Sequence, residues 1–313
     1  MQNNNVETAS IENMQNQPTV AKKRRKKIYL FDIFNYVFLT ILGLICLFPV
    51  LYEALMSFSS RSDFMSAKFI VIPNEFNIEH YKHIFGQGRV GTAFLISLLV
   101  TVVGTLYSLI LTSFGAYAFT RKNVPGIRIC FTLVIITMFF SGGLIPFYLT
   151  VSRIFGMNNL IVLIIPFGIN SFNMIILRNF FVQVPDSLLE SARIDGASEF
   201  RLLFQFVIPL SKAGIATVAL WYIVGKWDDW YWPSLFLSRA DHLYPLALEL
   251  RNTLMKMDGS NPVDPDMDLQ GKLIHSDGLN AAIIMTSITP ILILYPFLQK
   301  YFVKGVMIGS VKE

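Results

Sequence analysis

The chain alternates between long apolar windows and short polar segments. Six windows hold almost no charged side chains, and one of them is interrupted only by Lys212. A helix of about 20 apolar residues is long enough to cross the hydrocarbon core of a bilayer. The pattern therefore predicts six transmembrane helices. Their predicted extents are about 29–57, 90–119, 127–151, 160–180, 203–226 and 278–303.

The composition is typical of an all-α integral membrane protein. Hydrophobic residues make up 53% of the 313 residues, charged residues only 15%, and the mean hydropathy is +0.52. A soluble domain carries roughly 25% charged residues. Residues 1–27 are rich in Asn and Gln and end in a basic run, so we expect a disordered, basic cytoplasmic segment there. Residues 28–313 are expected to form one six-span domain.

Positive charge is distributed unevenly between the predicted loops. With both termini placed in the cytoplasm, most of the 26 Lys and Arg residues fall on the inner side. Short cytoplasmic loops of membrane proteins carry such an excess. We therefore predict a multi-pass protein with cytoplasmic N- and C-termini, whose basic run at 22–27 contacts membrane lipid. No nucleic-acid partner is predicted, since no basic soluble domain accompanies the run.

Two consecutive predicted spans contain helix-breaking residues. Residues 141–143 and Pro146 interrupt the third span, and Pro166 and Gly168 lie near the middle of the fourth. Such residues are tolerated in a membrane helix where neighbours or a cavity satisfy the freed backbone groups. Two interrupted helices in a row indicate a solute pathway rather than a rigid anchor. For each break taken alone, ordinary kinking explains the sequence equally well.

A polar segment, 185–201, separates the fourth and fifth spans and predicts a short helix. Ser187 and Glu190 have the spacing of a capping box, in which each side chain satisfies a backbone N–H at the start of a helix. Gly196 suits a left-handed stop, and Ser198 can cap the next helix. The predicted helix has about nine residues and is roughly 13 Å long. On these grounds alone, a plain amphipathic surface helix remains an equal alternative.

The polar segment also carries a spacing of residues that resembles the EAA loop of permease subunits of binding-protein-dependent ABC importers. The family pattern is Glu-Ala-Ala, three residues, Gly, nine residues and then Ile-x-Leu-Pro. The matching positions are Glu190, Ala192, Gly196 and Pro209. Ser191 replaces the middle alanine, and Phe206 and Ile208 replace the Ile and Leu, which are changes of similar size.

Two further segments extend the resemblance to nearly the whole chain, residues 28–313. Trp227–Leu237 resembles the Trp-Asn-x-Phe region of maltose-type carbohydrate permeases, and Lys304–Lys312 resembles their Gly-x-x-x-Gly-Ala-Val-Lys tail. The residues of these segments are most similar to those of the subgroup for complex oligosaccharides and polysaccharide fragments. The resemblance implies the type I ABC importer permease fold and a place in a bacterial cell membrane.

The resemblance also implies partners and a role for the polar helix. A permease of this kind pairs with a second homologous permease subunit, two cytoplasmic ABC ATPases and an extracellular solute-binding protein that delivers the sugar. The chain needs no cofactor, because ATP and Mg bind to the partner ATPases. Closure of the ATPases would move the polar helix and switch the access of the spans. The residues implied in this coupling are Leu188, Leu189, Glu190, Ala192, Arg193, Asp195, Gly196 and Ala197.

Polar and aromatic residues inside the predicted spans are candidates for the sugar pathway. Asn170 and Asn173 lie about one helical turn apart and are therefore expected to share a face. Trp221 and Tyr222 of the fifth span and Asn280 of the sixth could join them, since polar groups in a membrane interior tend to face a cavity. Hydrogen bonding between helices is the alternative role for each of these residues.

Other chemical patterns in the chain are weak. Asp264, Asp266 and Asp268 alternate as in a calcium loop, but Leu269 and His275 stand where an EF-hand needs Gly and Glu, so no metal site is predicted and looser binding stays open. No catalytic constellation is evident, which predicts that the chain is not an enzyme. A stand-alone secondary transporter or channel remains the alternative function. That class usually places acidic residues centrally in its spans, and spans two to six have none.

Overall fold

The structure is a computed structural model that describes residues 30–60, 73, 76–86, 89–140, 142–258 and 276–309. The predicted N-terminal segment 1–27 and the acidic residues Asp264, Asp266 and Asp268 lie outside the described residues. The chain divides into two units, one ending at Val50 and the other beginning at Leu51.

The described part of the first unit is the beginning of helix α1, Leu30–Ser57. Its apolar side chains are exposed nearly all round, including Phe34, Phe38 and Leu44. A helix that is apolar on every side is stable where lipid rather than water surrounds it. This part of α1 therefore has the surface expected of a transmembrane helix.

The second unit consists of helices and their connections. The described residues contain no strand, which agrees with the predicted all-α class. Its first half comprises α2 (Glu79–Gly86), α3 (Arg89–Ala118), α4 (Ile127–Phe139), α5 (Leu144–Phe155), α6 (Ile161–Ile164) and α7 (Ser171–Phe181). Its second half comprises α8 (Asp186–Ile194), α9 (Glu199–Leu202), a π-helical turn (Leu203–Val207), α10 (Ile208–Leu210), α11 (Lys212–Trp227), α12 (Tyr231–Phe236), a 3₁₀ turn (Asp241–Leu243), α13 (Leu246–Asp258) and α14 (Ser276–Gly309).

Within the described residues, three helices are long and apolar enough to cross a membrane: α1, α3 and α14. Two bent pairs of helices raise this number to five if each pair is one span: α4 with α5, and α9 to α10 with α11. The fourth predicted span is split between α6 and α7. The count of six and the placement of the termini remain predictions.

The structure contains both predicted interruptions and a third that the sequence analysis missed. Gly143, at φ 86°, separates α4 from α5, and residues 165–170 separate α6 from α7. The missed break is at Ser211, where the helix direction changes by 86°. Pro209 lies just before it, and a proline both lacks an N–H and pushes on the preceding turn. The wide π turn at Leu203–Val207 relieves that crowding.

One apolar cluster joins α8 to the helices around it, and we name it the core cluster. Small residues let its helices approach closely: a Cβ added to Gly214 of α11 would lie 2.5 Å from the ring of Phe180 on α7. The core cluster therefore fixes α3, α7, α8 and α11 as one packed body. Its buried members are Ala116, Tyr117, Met174, Leu177, Phe181, Val184, Leu189, Ala192, Leu202, Leu203, Val207, Val218 and Tyr222.

Candidate functional site

The short polar helix forms as α8, with the predicted nine residues, but it begins differently from the prediction. The residue before its first turn is Pro185, and no side chain caps the helix there. Ser187 lies inside the first turn, where its carbonyl accepts a hydrogen bond from the Ser191 hydroxyl at 2.9 Å. The predicted capping box of Ser187 and Glu190 is therefore wrong. The helix begins earlier in the chain than predicted, directly after Pro185, because the restricted φ of this proline, −59°, is already suited to the entry of a helix.

The end of α8 confirms the predicted glycine stop. Gly196 has φ +81°, in the left-handed region. Its N–H donates to the Arg193 carbonyl and the Ala197 N–H to the Ala192 carbonyl, both at 2.9 Å. This pair of bonds is the Schellman motif. Ser198 then caps α9 by accepting from the Arg201 N–H at 3.4 Å, as predicted.

The two sides of α8 have different surroundings. Leu189 and Ala192 are buried in the core cluster. On other sides, Leu188 is 40% exposed and Ile194 is 82% exposed. Ile194 was absent from the predicted set, although it lies about 140° around a helix from Leu189 and a helical wheel would have placed it outward.

The eight residues predicted for coupling therefore fall into two groups. Leu189 and Ala192 face the chain's own interior, and Ala197 is half-buried beside them. They anchor α8 and do not present a surface to a partner. The remaining five are exposed: Leu188, Glu190, Arg193, Asp195 and Gly196.

An ion pair links α8 to α9. The Arg193 Nε donates to Glu199 Oε1 at 3.0 Å, and this hydrogen bond raises the pKa of the Arg193 guanidinium above its ordinary value. The pair is fairly exposed, so solvent screens it and its contribution to stability is small. What it does fix is the direction in which α8 leaves the core cluster.

A second feature is a cavity of about 590 Å³ between α3, α5, α6, α7, α11 and α12. Four of the five residues predicted for the sugar pathway line it, two asparagines and two aromatic residues. The structure thus brings together side chains from the fourth and fifth predicted spans. The lining includes Val100, Phe147, Phe167, Asn170, Asn173, Trp221, Tyr222, Lys226, Asp228, Asp229 and Trp232.

Tyr222 is the best-fixed polar residue of this cavity. Its hydroxyl lies 2.7 Å from Thr112 Oγ1 of α3 and accepts from the Asn170 N–H at 3.1 Å. The phenol is buried in the core cluster, so its bond to Thr112 is buried, while its bond to Asn170 is part-buried. A buried hydroxyl with satisfied partners holds its ring in one orientation. Tyr222 therefore ties α3 and the start of α7 to α11.

Asn170 and Asn173 occupy different positions from those predicted. Asn170 is not helical: it has extended backbone, and its Oδ1 accepts the Asn173 N–H at 3.1 Å as the cap of α7. The prediction that the two share a helix face is therefore wrong. It assumed a continuous helix, whereas the chain is irregular from 165 to 170. Both side chains still reach the same cavity.

Aromatic rings supply the apolar part of the lining. Trp221 stacks on Phe172 with ring centroids 5.2 Å apart. Trp232 packs against Phe147 at 4.9 Å and Phe167 at 5.2 Å. Packed rings of this kind keep fixed orientations. The cavity thus offers flat apolar faces beside amide and hydroxyl groups.

Charged residues at the end of α11 also line the cavity, and the sequence analysis did not assign them to the pathway. The aliphatic stem of Lys226 packs on Gly104 of α3, where an added Cβ would lie 2.9 Å from the lysine Cδ. Asp229 Oδ1 accepts from the N–H groups of Tyr231 and Trp232 at 3.1 and 3.2 Å, and so begins α12. The sequence signal that could have identified these residues is a lysine followed closely by two aspartates at the end of an apolar span.

Asn280, the fifth predicted pathway residue, is not among the residues that line this cavity. It lies on α14, and its Oδ1 is buried without a hydrogen-bond partner among the described residues. Trp227 likewise points elsewhere, since its Nε1 donates to the Ser287 carbonyl of α14 at 2.8 Å. The structure therefore does not place Asn280 with the other four predicted pathway residues.

Comparison with known proteins gives a consistent set of similarities. The model of the family described as "Binding-protein-dependent transport system inner membrane component" matches residues 20–308. The polygalacturonan/rhamnogalacturonan transport system permease protein YtcP of Bacillus subtilis (strain 168) is 38% identical over 283 residues, 90% of this chain and 98% of that protein. The arabinooligosaccharides transport system permease protein AraQ of Halalkalibacterium halodurans is 27% identical over 276 residues, 87% of this chain and 93% of that protein.

A solved structure resembles this chain over most of its length. It is a chain of a bacterial ABC transporter involved in the import of the acidic polysaccharide alginate, with a TM-score of 0.81 and 31% sequence identity. The similarity covers 89% of this chain and 98% of that one.

Proposed function

Because the chain belongs to the family of binding-protein-dependent transport system inner membrane components, we propose that it carries oligosaccharides or polysaccharide fragments through the 590 Å³ cavity, driven by ATPase subunits that bind α8. One observation carries the proposal. Tyr222 of the cavity and Leu189 and Ala192 of α8 belong to the same core cluster. A force on α8 is therefore applied to the helices that line the cavity.

Family membership itself establishes the general class. The chain is an inner-membrane permease subunit of an ABC importer, a transport subunit and not an enzyme. The predicted family, fold class and membrane location are confirmed. A stand-alone transporter or channel, the alternative function, is not favoured by a family defined by binding-protein-dependent transport.

The chemistry of the cavity supports a carbohydrate substrate. Sugars present apolar C–H faces and rings of hydroxyl groups, which suit flat aromatic surfaces beside amides and carboxylates. Trp221 and Trp232 supply the faces, while Asn173 and Asp229 supply polar groups. Relatives are named for polygalacturonan, arabinooligosaccharides and galactooligosaccharides, which supports oligosaccharides or polysaccharide fragments as the substrate class.

The energy source lies in partner subunits. In this proposal ATP and Mg bind to two ATPases, a second homologous permease completes the pathway, and an extracellular binding protein delivers the sugar. The chain's own sequence fits that division. A nucleotide-binding loop needs Gly, four residues, Gly-Lys and then Ser or Thr, whereas Gly225-Lys226 precedes Trp227 and Gly271-Lys272 precedes Leu273.

The exposed surface of α8 is the proposed contact for an ATPase. Leu188 and Ile194 offer apolar anchors, and Glu190 and Asp195 offer charge beside them. An apolar centre with a polar rim is the usual anatomy of a protein–protein interface. Leu189 and Ala192 hold the other side of the helix to the core cluster, so the helix moves with the transmembrane helices.

Reconstitution tests this function. The chain, its partner permease, the ATPases and the binding protein are placed in proteoliposomes, and uptake of a panel of labelled oligosaccharides is measured. We expect uptake that needs ATP, the ATPases and the binding protein together. Sugar uptake by the purified chain alone, without an ATPase, would contradict the proposal and favour the stand-alone transporter.

A further inference from the structure

Glu199, the first residue of α9, joins three separate parts of the second unit through one carboxylate. Its Oε2 accepts from the Tyr117 hydroxyl at 2.6 Å and lies 3.1 Å from Nη2 of Arg121. Its Oε1 accepts from Nε of Arg193 at 3.0 Å. Tyr117 lies at the end of α3, Arg121 in the connection to α4, and Arg193 in α8.

Two of the partners of Glu199 also contact each other. Nη2 of Arg121 donates to the Tyr117 hydroxyl, and the guanidinium carbon lies 4.2 Å from the centre of the Tyr117 ring. Arg178 of α7 donates to the Phe119 carbonyl at 2.9 Å, which ties α7 to the same connection. The end of α3 is thus fixed by charged groups on several sides.

The bonds of Glu199 set the orientation of α8, which its apolar contacts do not. Leu189 and Ala192 hold α8 by burial, which is strong but not directional. Charge-assisted hydrogen bonds require specific distances and angles. Since the Glu199 side chain is 57% exposed, solvent screens its ion pairs and they add little to stability. Their effect is on orientation.

We propose that Glu199 is the positioning residue that transmits movement of α8 to α3. The proposal rests on the proposed function, in which an ATPase moves α8. Helix α3 then carries the movement onward as a rigid element: its Thr112 is bonded to Tyr222, and its Val100 lines the cavity. Coupling through an element that touches both sites is the physical form such transmission takes.

The test measures sugar imported per ATP hydrolysed in the complete transporter in proteoliposomes. Glu199→Gln keeps the size of the side chain but loses its charge and one acceptor oxygen, so it cannot serve Arg193 and the Tyr117–Arg121 pair together. We expect the ratio to fall about fivefold, while ATPase binding and the thermal midpoint stay near those of the native protein. Glu199→Asp, which keeps the charge, should recover part of the loss.

Two further variants separate transmission from folding. Arg193→Gln removes the α8 side of the joint and should lower the same ratio. Because Arg193 also lies on the exposed surface of α8, ATPase binding is measured alongside. Combining the variant with Glu199→Gln should add little, because both break one link. Arg201→Gln is the matched control. Arg201 lies on the same short helix as Glu199, but its Nε donates to Gln205 at 2.8 Å, and we expect no change in the ratio.

The outcomes are distinguishable from failure of the proposed function. An unchanged ratio in Glu199→Gln and Arg193→Gln overturns the positioning role, even if an ATPase does bind α8. Loss of ATPase binding or of folding in both variants also overturns it, since Glu199 would then act in assembly. If changes on the exposed surface of α8 leave ATPase binding intact, the proposed function fails instead.

Discussion

Helix α8 and the contacts of Glu199, together called the α8 region, share one core cluster with the cavity. The polar groups of the two regions are nevertheless held in opposite ways. Tyr117 and Tyr222 make the contrast clear, because both rings are buried in that cluster. The Tyr117 hydroxyl reaches outward to Glu199, a fairly exposed carboxylate with further partners in Arg121 and Arg193. The Tyr222 hydroxyl reaches inward, to two neutral partners: the fully buried Thr112 hydroxyl and, through a part-buried bond, the backbone N–H of Asn170.

The difference indicates what each region is built to do. Exposed ion pairs contribute little free energy, so they can orient α8 without preventing its movement when a neighbouring protein binds. Buried neutral hydrogen bonds are costly to break, so they hold a lining in one shape. The α8 region is therefore suited to movement against a partner, and the cavity to a fixed recognition surface.

The largest expected effect comes from the exposed side of α8. Ile194→Asp places a charge where an apolar anchor would enter an ATPase, without touching the buried residues Leu189 and Ala192. We expect ATPase binding to weaken at least tenfold, the loss typical of a hot-spot residue, and uptake to disappear. The measurement is co-purification of the ATPases with the detergent-solubilised chain.

Gln183→Asp is the control for that substitution. It introduces the same charge at an exposed position just before α8 and should leave ATPase binding unchanged. Equal binding by native protein and Ile194→Asp would remove α8 from the contact, and with it the contrast between a moving and a fixed region.

The second prediction compares the two tyrosines directly. Tyr222→Phe leaves the Thr112 hydroxyl and the Asn170 N–H without their partner, which costs about 1–3 kcal/mol of folding free energy. Tyr117→Phe leaves Glu199 with two arginine partners, so its cost should stay below about 1 kcal/mol. Thermal unfolding in detergent measures both. The comparison is wrong if the Tyr117 variant is the less stable of the two.

The sequence predicted the surface helix better than the cavity, for a physical reason. The nine-residue length of α8 and its stop at Gly196 follow from local rules, because a glycine in the left-handed region ends a helix wherever it lies. Its start was wrong by two residues, because the cap position is Pro185 rather than Ser187.

The cavity depends on contacts between distant segments, which local patterns do not specify. Asn170 and Asn173 line one cavity with Trp221 and Tyr222, but not for the predicted reason, since Asn170 caps a helix rather than sharing its face. The assignment of Lys226 needed the close approach to Gly104 on α3, more than a hundred residues earlier.

The third prediction concerns the aromatic lining. Trp221→Ala removes a ring stacked on Phe172 at 5.2 Å and one apolar face of the cavity. We expect the KM for sugar uptake to rise about fivefold, in line with the energy of one aromatic contact. The measurement is initial-rate uptake in proteoliposomes.

Trp230→Ala provides a matched control for the loss of a tryptophan. Trp230 is 38% exposed, against 37% for Trp221, but it lines a different pocket. The guanidinium carbon of Arg251 lies 4.0 Å from the centre of its ring. We expect the KM of the Trp230→Ala transporter to equal that of the native protein. A similar rise in KM for both variants would show that general loss of aromatic area matters, rather than the cavity face.

The smallest expected effect compares two helix caps, one in each region. Asn170 accepts the Asn173 N–H at 3.1 Å beside the cavity, whereas Ser198 accepts the Arg201 N–H at 3.4 Å beside α8. Loss of a cap typically costs about 1 kcal/mol. Asn170→Ala should reach that value, because its bond is shorter and better shielded. Ser198→Ala should cost less, since water reaches the exposed N–H of Arg201 and replaces the lost bond. Thermal midpoints of the two variants measure the difference, and a larger loss at Ser198 would mean that the α8 region, too, is held rigidly.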